Sequence, residues 1–461
     1  MRFIIFFLVF LNSSILSIAQ KYSAEQAKAD LQFTYDVLKQ AHPSVFRYTK
    51  EEEFDWVFDY LNRGIVDSIS KNELGEKINT LMATVRCVHT SASNTLVLQS
   101  KNFFNFNILI HNGNLYAKNI KELLPDTSWM KIISINNIPS IEIVSRMLML
   151  KSGDGNVQTF TNSVIASNFN TYFNAFYNVP TICVVEFETK NGLKKIPIER
   201  TIKYTAKNLS YQWADWQKTD TSASVYFLKN KNYKDVRILK ISSFKKISKA
   251  FYAEAFQKMK KDSVKTILID LRANTGGNIY HAFDLLNHLI PSDIYMYAER
   301  KKNTKLGSRL KFKGYSQWLL SKLLYDVIPQ GQRWSESGLK KYRYEFKSKK
   351  DKDFNPEIYV WIDGKSVSSS SLLASYLKLY TKAKFIGEES GGTIAGNNGR
   401  AYPEIITPHS GMKLRVPLHH ITYHLGYPDA GRGVQVDYPL SIFLTEKDEK
   451  QFIQNLFLQK E

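Results

Sequence analysis

Residues 357–380 read EIYVWIDGKSVSSSSLLASYLKLY, and they predict a strand, a tight turn and a helix in direct succession. Glu357–Ile362 is apolar, β-branched and aromatic, as in a buried strand, and the later leucines and tyrosines recur at helical spacing. A serine at the junction would lie at a sheet edge, beside N–H groups that the first helical turn leaves unpaired. Those groups could bind an oxyanion. Alternatively, Ser366–Ser371 only cap the helix and form a polar turn.

A second strand-turn-helix unit lies upstream. Val264–Asp270 is an apolar strand, Leu271–Asn278 (LRANTGGN) is a turn, and residues 283–289 again place apolar side chains at helical spacing. Glycines at the carboxyl end of a parallel strand expose N–H groups where open α/β folds place their ligands. Gly276 or Gly277 could therefore supply the second half of an oxyanion hole.

Motifs in these two units and after them resemble the tail-specific or C-terminal processing peptidases, most closely their tricorn-core branch. In order they are Asp270–Gly277 (DLRANTGG), Ser366–Ser371 (SVSSSS), Ile386–Gly392 (IGEESGG) and Gly433–Asp437 (GVQVD), where Val436 replaces the family's proline. Far upstream, Cys87–Thr90 (CVHT) stands where the family has aspartate-glycine-histidine-threonine. As a set these motifs are specific, although each alone is weak.

The resemblance implies a serine peptidase with Ser368 as the nucleophile. A neutral hydroxyl needs a base within hydrogen-bond reach. One branch of the family uses a lysine, but Thr393 stands at its position, so the resemblance favours His89 as general base and then general acid. The N–H groups of Ser369 and of Gly276 or Gly277 would hold the oxyanion.

Three departures from the family pattern leave an alternative open. Ser371 replaces a common glutamate, Val88 replaces a serine beside the histidine, and Ala430 stands where a late acidic residue is expected, with Asp429 one position away. The group that orients His89 is not identified. The alternative is a catalytically inactive relative that binds peptides or other ligands with the same fold.

The expected domain organisation combines periodicity with the resemblance. Residues 24–88 have helical spacing, which predicts helices at 24–41, 51–65 and 74–85 with a cap at Ser70–Glu73 before the third. Residues 103–201 are rich in short strands, among them 182–189, and residues 130–142 resemble part of a PDZ domain, although its carboxylate-binding loop is not visible. A plain structural β-domain is therefore the alternative to peptide-end binding. An insertion at 292–355 is expected to contain a helix at 316–328. The predicted segments are a signal peptide (1–19), an N-terminal helical domain (20–95), a PDZ-like β-domain (96–201), a linker (202–235), an α/β catalytic domain with a ClpP/crotonase-like sheet (236–448) and a C-terminal helix or tail (449–461).

The first residues have the pattern of a secretory signal peptide. Arg2 precedes the apolar run Phe3–Phe10, and Ser17–Ala19 ends in a small residue suited to cleavage. No other run reaches the roughly 18 apolar residues of a spanning helix, and no cysteine near Ala19 could carry a lipid. We therefore expect a soluble exported protein, periplasmic or extracellular, without an integral membrane segment.

The composition limits the classes of partner and cofactor that can be expected. A net charge of +20 favours acidic partners such as an anionic envelope surface, whereas export and the lack of a groove-reading motif disfavour nucleic acid. Cys87 and Cys183 are expected to be free buried thiols. Prolines interrupt the segment that holds the late histidines, so no metal site is expected, and no cofactor motif is present. Those histidines are His409, His419, His420 and His424. The substrate would be a protein or peptide, and the oligomeric state is open.

Overall fold

The computed structural model describes residues 21–123, 128–202, 213, 215–222, 224–248, 250–301, 331–400 and 402–458. The predicted signal peptide (1–19) and the predicted helix at 316–328 lie outside these residues. The described α-helices span Ala24–Ala41, Glu51–Arg63, Lys71–Thr84, Ser140–Leu148, Thr159–Ser167, Phe169–Phe176, Phe251–Lys261, Ile279–Asn287, Ser369–Tyr380 and Glu446–Leu458.

A seven-stranded sheet forms the centre of the α/β part. Its order is Gln217–Ser222, Val225–Asn230, Tyr233–Ile241, Thr266–Asp270, Glu357–Ile362, Lys384–Gly387 and Tyr438–Pro439. The first two pairs are antiparallel and the remaining four are parallel. Ile267 and Ile269 pack into one core, whereas Leu268 between them packs into the core on the opposite face. Burial on both faces explains why these strands are continuously apolar.

The linker prediction is wrong for residues 217–230, which form the two antiparallel strands at one edge of this sheet. Their lysines and threonines obscured the alternation, and pairing with Tyr233–Ile241 decides the conformation. At the carboxyl end, where a helix or tail was expected at 449–461, the chain forms helix Glu446–Leu458, and its Ile453 and Phe457 are buried beside the sheet.

A second sheet is built from the insertion and the late part of the chain. Its strands, all antiparallel, follow the order Gly331–Glu336, Leu339–Phe346, Ile294–Lys301, His419–Thr422 and Gly396–Gly399. In Ile294–Lys301, Met296 and Ala298 are buried and Tyr295 is exposed, because alternate side chains point to opposite faces of a strand. The insertion therefore adds an apolar face to the α/β part.

The three N-terminal helices are confirmed, and the first has the predicted bounds Ala24–Ala41. Ser70 and Glu73 form the predicted cap of the third helix as a reciprocal capping box. These helices share a core with residues 405–416. Just after them, Ser91–Ser93 pairs with Lys413–Arg415, which also pairs with Glu404–Ile406. The turn at His89 is thus anchored to the late part of the chain.

The β-rich region contains a sheet with the strands Asn107–His111, Asn114–Lys118, Met130–Ile135, Ile182–Thr189 and Gly192–Glu199, and the short strand Ile138–Pro139. Helices Thr159–Ser167 and Phe169–Phe176 were not predicted, since their phenylalanines and threonines are typical of strands. The first of these helices buries Ile165 in the core of this region, and the second buries Phe169 and Phe173 there. Cys87 and Cys183 are free and buried, as predicted. None of the described helices is long and apolar enough to cross a membrane.

Candidate active site

Ser368 lies at the junction of strand Glu357–Ile362 and helix Ser369–Tyr380. Its backbone has φ +59° and ψ −123°, a conformation that is costly for a residue with a side chain and is often found at functional sites. Ser368 is half-buried, and its hydroxyl forms no hydrogen bond within the described part of the chain. The helix-capping interpretation is therefore wrong for this serine.

The neighbouring serines have other roles. The Ser366 hydroxyl donates to the carbonyl oxygen of Leu271 (3.0 Å), and the Ser371 hydroxyl donates to the carbonyl oxygen of Ser368 (2.9 Å). The Ser370 hydroxyl is fully buried and has no partner among the described residues. Ser368 thus combines a partly exposed hydroxyl with a strained backbone, and the other serines of the turn support it or are sealed inside.

The two glycines of the DLRANTGG turn lie against Ser368 but differ in their N–H groups. A Cβ placed on Gly276 would lie 2.8 Å from Cβ of Ser368 and 2.9 Å from the nitrogen of Ser369. The Gly276 N–H already donates to Oδ1 of Asn274 (2.9 Å). The N–H groups of Gly277 and Ser369 donate to no described acceptor, and the Ser369 hydroxyl donates to the carbonyl oxygen of Gly277 (2.9 Å). The geometry therefore favours Gly277 over Gly276 as an oxyanion donor.

His89 lies in the turn after helix Lys71–Thr84, and the fold brings this turn to the serine turn. Val88 and Val367, which directly precede His89 and Ser368, pack in one small apolar cluster with Phe160. The imidazole is buried and stacks on the ring of Tyr402, with ring centroids 5.7 Å apart. No hydrogen bond between His89 and Ser368 is formed in this structure, and Nδ1 of His89 has no partner among the described residues.

The surroundings of His89 favour its neutral form. Burial, and to a lesser extent the cations of Arg415 and Lys151, lower the pKa of His89 to about 3. A neutral imidazole can accept a proton, as a general base must, but a pKa this low also makes it a weak base. Any group that favours the imidazolium would therefore make His89 a stronger base.

The late acidic residue near the glycine-valine motif is engaged elsewhere. Asp429 forms an ion pair with Arg47, whose Nε donates to it (2.6 Å), and it accepts a hydrogen bond from the Tyr48 hydroxyl (3.0 Å).

No lysine of the described chain lies where it could act as a base for Ser368. Lys365 donates to the Ser167 hydroxyl (2.7 Å), and no lysine of the described chain lines the Ser368 pocket.

Ser368 and Ser369 open onto a pocket of about 280 Å³. One wall is a face of the second sheet, where strand pairing places Met296 opposite Tyr344 and Ala298 opposite Ile421. The pocket also contains polar side chains that motif reasoning missed, because they follow no local pattern; they are Asn397, Arg400 and Tyr402. The site therefore joins the Ser368 hydroxyl to a mainly apolar cavity.

The aspartate-arginine pair that opens the DLRANTGG motif has a structural role. Asp270 is fully buried and accepts hydrogen bonds from Arg272 and from the indole N–H of Trp213 (3.1 Å). Lys240 adds an ion pair at 3.1 Å. Burial alone would raise the pKa of Asp270, but the charges of Arg272 and Lys240 lower it below its usual range. This network holds the turn that carries Gly276 and Gly277.

The late histidines occupy separate environments. His420 Nδ1 lies 3.0 Å from Oδ1 of Asn398, and His424 Nε2 lies 2.9 Å from the Ser375 hydroxyl. His419 is buried, and His409 is exposed. Within the described ranges no group of three or more histidine, cysteine, aspartate or glutamate side chains could hold a metal ion.

Residues 235–440 match the family model of peptidase family S41. Mature CPAF in complex with lactacystin has 12% sequence identity and a TM-score of 0.62, and the alignment covers 95% of this chain and 99% of that one. A second structure of mature CPAF has 13% identity and a TM-score of 0.60, with 95% and 98% coverage.

A putative peptidase from Parabacteroides merdae has 12% identity and a TM-score of 0.49, with 95% and 98% coverage. No curated protein sequence matches the chain significantly. The likeness to CPAF shows a shared fold, and the family match covers both strand-turn-helix units. Over residues 235–440 the chain therefore matches the peptidase domain of family S41, a family of serine peptidases.

Proposed function

We propose that this protein hydrolyses peptide bonds in proteins or peptides, with Ser368 as the nucleophile and His89 as the general base. The observation that carries the proposal is the geometry of Ser368. Its hydroxyl has no partner within the described chain, its backbone is held at φ +59°, and it faces a pocket beside the unpaired N–H groups of Ser369 and Gly277. A solvated serine in an ordinary polar turn would need none of these features.

The reaction follows from these groups. Oγ of Ser368 attacks the carbonyl carbon while His89 takes the hydroxyl proton, and the carbonyl electron pair moves onto the oxygen. The N–H groups of Ser369 and Gly277 stabilise this oxyanion, which is worth about 3 kcal/mol per donor. His89 then gives its proton to the leaving amine, and an acyl-enzyme forms. A water molecule, deprotonated by His89, releases the acid and restores Ser368.

Gly276 supports the oxyanion hole by its lack of a side chain. Gly276→Ala should lower kcat/KM at least about 100-fold, because the new methyl group must displace the Ser368 turn and a shift near 1 Å is enough for such a loss. Gly192→Ala is the matched control, since Gly192 has a similar φ (+100° against +93°) but open space at its Cβ. Both variants should be compared in kcat/KM and thermal midpoint. Equal kcat/KM values in both would contradict the role assigned to Gly276.

We further propose that the pocket receives the substrate side chain on the acyl side of the cleaved bond. Its wall of Met296, Ala298, Phe346, Leu372 and Ile421 offers apolar contacts and suits a side chain such as leucine or methionine. Such a substrate should exceed an alanine substrate about 10- to 100-fold in kcat/KM. Ala298→Leu should fill the pocket and remove most of this advantage, while cleavage after alanine persists. A ratio unchanged by Ala298→Leu would place the side chain elsewhere.

The competing function is that of an inactive relative that binds peptides. The test is release of new amino termini from unfolded proteins and peptide libraries by the folded, purified protein. Cleavage lost in Ser368→Ala would support the peptidase. Binding without cleavage, equal in the wild type and Ser368→Ala, would favour the binding protein instead.

A further proposal concerns the location of the protein. We propose export to the periplasm or the exterior, supported by the charged and apolar pattern of residues 2–19. The net charge of +20 would attract the exported protein to anionic envelope surfaces.

We also propose that residues 96–201 form a PDZ-like domain, supported by the strand Met130–Ile135 followed by helix Ser140–Leu148. If this domain binds chain ends, free peptides should compete with the substrate for it and lower the cleavage rate.

A further inference from the structure

The loop 152–156 (SGDGN) of the β-rich region holds the backbone of the histidine turn. Its contacts are the Cys87 N–H donating to the Ser152 hydroxyl (2.7 Å), the Val88 N–H donating to Oδ1 of Asp154 (2.8 Å), and the Gly155 N–H donating to the carbonyl oxygen of Arg86 (2.9 Å). Three successive residues just before His89 are thus fixed by one loop from a different part of the fold. Small rotations of this turn would move the buried imidazole of His89 relative to Ser368.

Asp154 is the unusual member of this loop. Its side chain is 2% exposed, and while Oδ1 accepts the Val88 N–H, Oδ2 is buried without a partner among the described residues. Nδ1 of His89 is also buried and without a partner there. A buried carboxylate oxygen left unpaired costs stability, so its retention beside the histidine turn suggests a function.

We propose that Asp154 is the positioning residue for His89. It fixes the turn through the Val88 N–H, and its negative charge favours the imidazolium that forms when His89 takes the proton of Ser368. This inference rests on the proposed peptidase function. It assigns to the β-rich region a role that Asp429 would otherwise have had, and Asp429 is already bound to Arg47 and Tyr48.

Both charged groups that shift the pKa of His89 are cations. His89 faces the cations of Arg415 and Lys151, which oppose its protonation, so a nearby anion would offset them. Burial raises the pKa of Asp154 to about 7, although the Val88 N–H and Arg47 lower it and Asp429 raises it slightly. The negative charge of Asp154 raises the pKa of four groups, which are Cys87, Tyr48, Tyr402 and Tyr423. Ionised Asp154 therefore accumulates as the pH rises through about 7.

The test compares Asp154→Asn with the wild type. The amide can still accept the Val88 N–H but carries no charge, so kcat/KM at pH 8 should fall roughly 10- to 100-fold with KM changed less than about twofold. The wild-type profile should rise through about pH 7, and this rise should be absent in Asp154→Asn. Asp154→Ala, which also loses the hydrogen-bond acceptor, should be at least as impaired.

At alkaline pH, Asp154→Asn should be less active than the wild type but more stable. Replacing a residue that only supports the fold would lower activity and stability together. The folded-state pKa of Asp154 lies above its unfolded value, so the wild type loses stability as the pH rises from about 4 to about 7. Asp154→Asn avoids this loss. Its thermal midpoint should therefore exceed that of the wild type at pH 9, and the advantage should shrink at pH 5.

Asp30→Asn is the matched control. Asp30 is also a buried aspartate that holds a turn, accepting the N–H groups of His409 (2.9 Å) and Ser410 (2.7 Å). This variant should keep kcat/KM within about threefold and leave the shape of the pH profile unchanged. An Asp154→Asn profile and rate equal to those of the wild type would overturn the role of Asp154 alone. A folded wild type without any cleavage would overturn both this role and the proposed function.

Discussion

Ser368→Ala should lower kcat/KM at least about 10⁴-fold, because the residual oxyanion hole and substrate binding provide little turnover without the nucleophile. The fold should persist, since the Ser368 hydroxyl has no partner in the described chain and alanine meets the same backbone φ of +59°. The measurement is steady-state cleavage of a fluorogenic peptide, together with the thermal midpoint of both proteins.

Ser370→Ala provides the control for the serine-rich turn. The Ser370 hydroxyl is buried without a described partner, so its removal should leave kcat/KM within about threefold and should not lower stability. If Ser368→Ala cleaved as fast as Ser370→Ala, the nucleophile would have to be a different residue. A loss shared equally by both variants would instead indicate damage to the turn.

His89→Gln should reduce kcat at least about 10³-fold with little change in KM, because glutamine cannot take the Ser368 proton. Since burial and the nearby cations hold the pKa of His89 at about 3, this histidine should add no acid limb near pH 6.5, so Asp154→Asn, which lacks the rise assigned to Asp154, should show none there. A general base is active when it is neutral, and His89 is neutral above its pKa. Protonation of His89 should therefore lower the rate only at pH values near or below that pKa. Initial rates from pH 4 to 9 provide the measurement.

His288→Gln is the control for this second prediction. His288 is also partly buried and stacks on Phe256, but it does not line the Ser368 pocket. It should retain kcat within about threefold. Full activity of His89→Gln would show that the base is wrong and would reopen the search for another proton acceptor near the pocket.

Elements with strong local patterns could be predicted from the sequence. Helix Ala24–Ala41 and strand Ile182–Thr189 have the predicted bounds, because one has a clear amphipathic period and the other alternates. The strands at 217–230 and the helices at 159–176 could not, since their composition favours other structures and tertiary pairing decides. The local sequence pattern is therefore a poorer guide to elements that are stabilised mainly by long-range contacts.

The candidate site shows the same division. A strand that turns into a helix at Ser368 is visible as a change of period, and the glycine pair is visible as a turn. Which glycine N–H is free depends on the side chain of Asn274, and the pocket wall depends on pairing across the second sheet. Asp154 reaches the histidine turn from 66 residues away in the chain. The glycine-flanked turn around Asp154 was its only local signal.

The most direct test of the central claim is labelling of the folded wild type with a fluorophosphonate probe, followed by peptide mapping by mass spectrometry. A fluorophosphonate reacts with a serine whose hydroxyl is activated by a base. We expect one adduct, on Ser368, that is absent in Ser368→Ala and forms much more slowly in His89→Gln. A stable adduct on another serine, or no adduct on a folded protein that cleaves peptides, would contradict the assignment of Ser368 as nucleophile.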